Sequence, residues 1–269
     1  MQFARGIRRV GRFMSRNNEE FPDVEISELD GVRALHLGSI TVQSAMRVAA
    51  PYDLELNYSR GMMMFLLFSE QMRDILIIGL GGGSIPKFVH HYLSPMRVTA
   101  VELNPAVITA ARTSFMLPDD DERLAVIEGD GIAYIKENPE SADVVMLDAF
   151  DASGLAPGLT SQEFYDSSFN ALTRDGILIV NLWGSDKNFD LYLQRIEQTC
   201  DGRVLVLPTG RPGNILIFGF KRTPHDLRWK TLRERAKSLQ KDHPQIPFTD
   251  LVERLRDYNL YSSNRLELG

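Results

Sequence analysis

Disulfides are excluded at the outset, because the 269 residues include one cysteine, Cys200. A lone thiol closes no intrachain bridge and fits a reducing compartment. Long apolar runs are also missing. The longest, Met62 to Phe68, is far too short to cross a bilayer, and the first residues lack the apolar core of a secretory signal. A cytoplasmic location without a membrane partner is therefore expected. Positive charge is in deficit, with a formal net charge of −6. That argues against a nucleic-acid partner, whose phosphates demand a basic face. Histidine is sparse: His36, His90, His91, His225 and His243 show no ligand spacing with cysteine or carboxylate, so no metal is expected. Ser84 follows a glycine cluster but lacks the nucleophile-elbow pattern, so no Ser-His-Asp chemistry is suggested.

What is present is more specific. Ile75-Leu-Ile-Ile runs straight into Gly79-Leu-Gly81-Gly82-Gly83-Ser84, and a helical pattern follows to Tyr92. A second apolar run, Val98 to Val101, then delivers Glu102. Strand, glycine turn, helix, strand and carboxylate make the layout of a nucleotide-binding βαβ unit. Glycine lets the backbone turn sharply and lets a ligand lie against the main chain. A carboxylate ending the second strand can accept hydrogen bonds from both ribose hydroxyls.

From Ile75 onward strands and helices alternate. Strands are predicted at 75–79, 97–101, 124–128, 143–148, 176–182, 203–207 and 214–220, with helices at 84–92, 105–115, 130–137, 161–173 and 187–199. Continuous apolar strands such as Val144 to Leu147 and Ile177 to Val180 suggest burial on both faces, as in a parallel sheet. Only Pro208 to Gly213 separates the last two strands, so these should pair antiparallel. A seven-stranded α/β sheet with that reversal is the Rossmann-like form of S-adenosylmethionine-dependent methyltransferases rather than of dehydrogenases. Ahead of it, runs at 24–27, 32–37 and 40–46 predict a small β-layer, and a helix is expected over 54–70. Met62, Met63 and Met64 read as core there. The domain plan is a basic, solvated tail over 1–20, the β-layer and helix over 21–70, a nucleoside-binding domain over 71–222, and a charged helical segment over 223–269. Trp229, Leu232 and Leu239 are the expected anchors of that last segment.

In an open parallel sheet, ligands lie at the carboxyl ends of the strands. Four polar features converge there: the glycine loop, Glu102, Gly129-Asp130-Gly131 and Asp148-Ala-Phe-Asp151. Asp130 can accept from an adenine amino group, or cap the next helix. Asp148 and Asp151 suit a cationic substrate, and either can act as general base for an amine nucleophile. The run Asp119 to Asp121 lies away from that edge and reads as a solvated loop.

These residues resemble the spermidine synthase (polyamine aminopropyltransferase) family from about Gly38 to Phe220. Ile77-Ile-Gly-Leu-Gly-Gly-Gly-Ser84 is similar to its glycine loop. Val101-Glu-Leu-Asn-Pro105 is similar to its ribose-binding segment, and Asp148-Ala-Phe-Asp151 to its catalytic Asp-Ser-(Ser/Thr)-Asp. Glu163-Phe-Tyr165 follows as in family members. The resemblance implies aminopropyl transfer from decarboxylated S-adenosylmethionine to a small amine, and a homodimer. It makes Asp148 catalytic and gives Asp151 the diamine. Gln43, Gly79, Gly81, Gly83, Glu102, Asp130 and Gly131 would hold the donor, and Tyr58 the acceptor. Four departures stand beside it. Gly82 replaces an Asp that holds the donor's primary ammonium in the family, and Leu54 and Glu55 replace an Asp-Glu pair. Ser59 replaces His or Gln, and Leu182-Trp183-Gly184 replaces Glu-Ser. Losing the Asp at 82 removes selection against intact S-adenosylmethionine. A methyltransferase using that intact donor, and a non-catalytic nucleoside-binding relative, therefore stay open as alternatives.

Overall fold

Apolar alternation within each central strand sends successive side chains into two separate cores. In a computed structural model of the chain, Ile75 and Ile77 join one buried cluster while Leu76 and Ile78 join the other. Val144 and Met146 divide from Val145 and Leu147 in the same way. That is the both-face burial of a parallel sheet. The structure describes residues 7–13, 21–151, 154–155, 158–210 and 213–269, with the side chains of 150, 151, 154 and 155 left outside the description.

The chain opens with β1 (Arg8–Phe13), β2 (Val24–Leu29), β3 (Val32–Leu37) and β4 (Ser44–Arg47), an antiparallel sheet in chain order. Helix α1 (Asn57–Met62) tightens into a 3₁₀ turn at Met63–Leu67. Then come β5 (Asp74–Ile78), α2 (Ser84–Tyr92), β6 (Arg97–Glu102), α3 (Pro105–Ser114), β7 (Leu124–Glu128), α4 (Gly131–Glu137) and β8 (Ala142–Leu147). A two-residue pair, β9 (Phe150–Asp151) and β10 (Gly154–Leu155), precedes α5 (Gln162–Asn170). Next are β11 (Leu172–Trp183), α6 (Phe189–Thr199), β12 (Val204–Pro208), β13 (Asn214–Phe220), α7 (Trp229–Asp242) and α8 (Phe248–Tyr258).

The large sheet has seven strands in the order β12-β13-β11-β8-β5-β6-β7, with β13 antiparallel to both neighbours. The expected α/β sheet with a reversed last pair is therefore present. One face carries α2, α3, the 3₁₀ turn, the N-terminal sheet and α7 with α8; the other carries α4, α5 and α6. Met62, Met63 and Met64 are fully buried, and Trp229 and Leu232 anchor α7 in the same core. Among the described residues, no helix is long and apolar enough to cross a membrane.

Four expectations need correction. Arg8–Phe13 is not tail but a strand on β2, where Arg9 pairs with Glu25 and Arg12 with Asp23; residues 1–6 and 14–20 lie outside the described residues. The helix expected over 54–70 is α1 plus the 3₁₀ turn. Met62 to Leu67 are buried all round, as the apolar run predicts, but Met63–Leu67 take the tighter 3₁₀ winding. The strand expected over 40–46 begins only at Ser44. Gly38 turns at φ +60° and the His36 ring engages the Ile40 and Thr41 carbonyls, both at 3.2 Å. The Asp119–Asp121 loop is also more structured than a solvated run. Asp121 accepts from the Arg123 and Leu124 N–H groups and pairs with His90, and Asp120 pairs with Arg112.

Lys87 of α2 is fully buried, and its ammonium donates to the Phe115 carbonyl at 2.6 Å. No ion pair to it is present among the described residues, and burial lowers its pKa from 10.5 to about 8. The folded value lies below the unfolded one, so the unfolded chain binds more protons between them. Stability should therefore rise with pH from about 8 to 10.5 by roughly 2–3 kcal/mol from this group. Thermal melts of the natural chain and Lys87→Met across that window are the check. Parallel curves would mean the amine stays charged in the fold.

Candidate active site

The chain runs outward from β5 through β6 to β7, then crosses back to β8 on the other side of β5. That reversal opens a crevice at the carboxyl ends of β5 and β8, where open α/β sheets bind ligands. Backbone bonds tie the strand ends together: Asp148 N–H donates to Ile78 O of β5 at 2.9 Å, and Gly79 N–H to Val101 O of β6 at 2.9 Å. Gly79 has φ +98°, and a Cβ there would sit 2.4 Å from the Asp148 carbonyl oxygen. Only glycine fits that turn.

Glu102 faces the loop from the end of β6. One of its oxygens accepts from Leu80 N–H and the other from Asn104 N–H, both at 2.9 Å. Burial raises its pKa, and those backbone bonds oppose the rise. Asp130 caps α4 by accepting from Ile132 N–H at 2.9 Å, so the capping role expected for it is real.

At the end of β8, Asp148 accepts from Asn181 Nδ2 at 2.8 Å. Asn181 is held in turn, its Oδ1 accepting from Asn214 Nδ2 at 3.0 Å. Burial pushes the Asp148 carboxyl up to about 7, while hydrogen bonds from Asn181 and Tyr58 pull it down. The Tyr58 phenol is raised well above its usual value by burial, then by the charge and hydrogen bond of Asp148. Its hydroxyl also lies 3.3 Å from the Gln43 carbonyl. A carboxyl titrating near neutrality inside a cleft is a candidate general base.

These groups face one cavity of about 620 Å³, large enough for a nucleoside with a side arm. The match to known proteins decides the family. A spermine/spermidine synthase domain model fits residues 55–206. A polyamine aminopropyltransferase of Chromobacterium violaceum is 38% identical over 248 residues, covering 92% of this chain and 95% of its own. The chain belongs to the spermine/spermidine synthase family. Membership makes it a transferase. A second relative, the polyamine aminopropyltransferase of Neisseria meningitidis, is 41% identical over 220 residues, or 81% of this chain and 84% of that one. A solved spermidine synthase bound to the transition-state analogue AdoDATO has the same fold. Its TM-score is 0.67 at 21% identity, and the match covers 92% of this chain and 88% of that one.

In this family member, Gln43, Tyr58, Gly79 and Gly81 line the cavity together with Glu102, Asp130, Gly131 and Asp148. Gly83 does not; it precedes α2 with φ +68° and carries the turn into that helix. The side chain of Asp151 lies outside the described residues. Sequence reasoning missed Asn181, Asn214, Ser44 and Trp183, all of which line the same cavity. Asn181 had a signal: it is the one polar residue between Ile177 and Leu182. It is 1% exposed, and a buried amide needs partners.

Proposed function

We propose that the chain transfers an aminopropyl group from decarboxylated S-adenosylmethionine to a small amine, releasing methylthioadenosine. One observation carries the choice of donor. The described residues lining the cavity include three carboxylates, Glu102, Asp130 and Asp148, and no lysine, arginine or histidine. The carboxylate of intact S-adenosylmethionine would enter that field with no cationic side chain to meet it. The decarboxylated donor brings only a sulfonium and an ammonium.

In this reading Glu102 holds the ribose hydroxyls, and the second oxygen of Asp130 meets the adenine amino group. The acceptor arrives as an ammonium. Asp148 takes its proton, and the freed amine attacks the carbon beside the sulfonium. The C–S bond breaks, its electron pair returns to sulfur, and neutral methylthioadenosine leaves. Asn181 and Tyr58 hold the Asp148 carboxyl toward the amine. Asp151 is assigned the acceptor's far ammonium on family resemblance, and a cytoplasmic homodimer is proposed with it as the setting.

Calorimetric titration with four ligands tests the donor. Decarboxylated S-adenosylmethionine and methylthioadenosine should bind more tightly than S-adenosylmethionine and S-adenosylhomocysteine, by roughly tenfold or more for an unpaired charge in a closed site. Equal or reversed preference would remove the decarboxylated donor.

A further inference from the structure

Decarboxylated S-adenosylmethionine ends in a primary ammonium, which must find acceptors in the cavity wall. The carboxylates there already have work. Glu102 is bonded by Leu80 and Asn104 N–H, Asp130 caps α4, and Asp148, bonded by Asn181, is assigned the acceptor's proton. Across from the glycine loop the wall is the start of β4. There Ser44, only 4% exposed, lines the cavity.

The protons around Ser44 can be accounted for one by one. Ser84 has one hydroxyl proton, and its Oγ lies 3.3 Å from the Ala45 carbonyl, which can only accept. Ser44 Oγ lies 3.2 Å from Ser84 Oγ. With the Ser84 proton given to Ala45, the Ser44 proton serves the bond between the two serines. Ser44 Oγ is then left with lone pairs alone. An ammonium has donors alone, so the two match.

The same hydroxyl fills the space next to Gly82. A Cβ at Gly82 would come 2.9 Å from Ser44 Oγ and 2.8 Å from Phe115 Cδ1. Phe115 is fully buried and its carbonyl is tied to Lys87, so that ring has little freedom to withdraw. A side chain at position 82 is shut out, and a neutral oxygen acceptor stands in its direction.

We propose that Ser44, oriented by Ser84, receives the primary ammonium of the donor and so positions the aminopropyl tail. This rests on the donor assigned above. Methylthioadenosine shares the nucleoside and sulfur of that donor but has no amine, which makes it the internal control. In Ser44→Ala, the Kd for decarboxylated S-adenosylmethionine should rise roughly ten- to hundredfold, the loss expected for a hydrogen bond to a charged group. Methylthioadenosine should bind as before, and KM for the donor should rise by more than kcat falls. Ser44→Cys keeps the volume with a poorer acceptor and should show the same split. An equal loss for both ligands would mean that Ser44 only shapes the wall, and no loss for either would mean that the ammonium lies elsewhere; each overturns the proposal. Failure of the natural chain to bind the decarboxylated donor would be read before any variant is made. It would remove the donor assignment, and this inference with it.

Discussion

Asp148→Asn should lower turnover by roughly two to four orders of magnitude, the usual contribution of a positioned general base, while methylthioadenosine affinity stays close to that of the natural chain. The amide keeps the shape of the carboxyl but cannot take a proton from an ammonium. The nucleoside contacts assigned to Glu102 and Asp130 belong to other strand ends. A variant with full activity would remove Asp148 from the chemistry. The same group predicts a pH profile. Its pKa of about 7 means that the working carboxylate is lost as pH falls through neutrality, so kcat/KM should drop on the acid side of pH 7. The Asn181 hydrogen bond lowers that value. Asn181→Leu should therefore move the acid limb upward by roughly one pH unit. An unmoved limb would assign it to another group.

Gly79→Ala should be the most damaging single change in the nucleoside loop. The added Cβ would press on the Asp148 carbonyl at 2.4 Å, its carbonyl carbon at 2.8 Å and the Ala149 Cα at 3.0 Å, all main-chain atoms. A side chain could turn aside; two hydrogen-bonded strand ends cannot. Strain at φ +98° and overpacking together should cost roughly 2–6 kcal/mol, against a total stability of about 5–15 kcal/mol for a typical domain. Gly31→Ala is the matched control, since it has φ +74° with nothing within 4 Å of the added atom. Denaturant melts should show a much larger loss at 79 than at 31. Any folded fraction of Gly79→Ala should also lose activity, because relief of the clash displaces Asp148. Similar losses at the two positions would mean that backbone strain, not contact with the strand ends, governs the loop.

Much of this was legible in the residues, for physical reasons. Two-sided burial writes itself as unbroken apolar strands, and a sharp turn at a strand end requires glycine, so β5, β8 and the Gly79 loop could be found by eye. Asp148 was visible because a carboxylate ending such a strand has to be at the ligand edge. The partners of Asp148 were not. Asn181 meets Asn214 only because β11 and β13 lie antiparallel in one register, with Asn181 opposite Leu216; no local pattern encodes that register. Ser44 and Ser84 likewise meet from the small sheet and the start of α2, 40 residues apart in the chain. Arg8–Phe13 misled because its arginines are indeed exposed, and nothing local shows that Glu25 on β2 and Asp23 just before it would pair with Arg9 and Arg12.

The reversal of β13 has a consequence for how this scaffold can be retailored. Trp183, the last residue of β11, is paired with Asn214, the first of β13. A strand running parallel would have brought its final residue to that edge, locked behind its own length of sheet. The reversed strand instead enters at the edge, directly from the turn after β12. Thr209, Gly210 and Gly213 of that turn line the cavity beside Asn214. One wall is thus supplied by the turn between β12 and β13 and the other by the glycine loop. Under the proposed function, substitutions at the exposed Gly210 should alter the choice of acceptor before they disturb the glycine-loop side of the cavity.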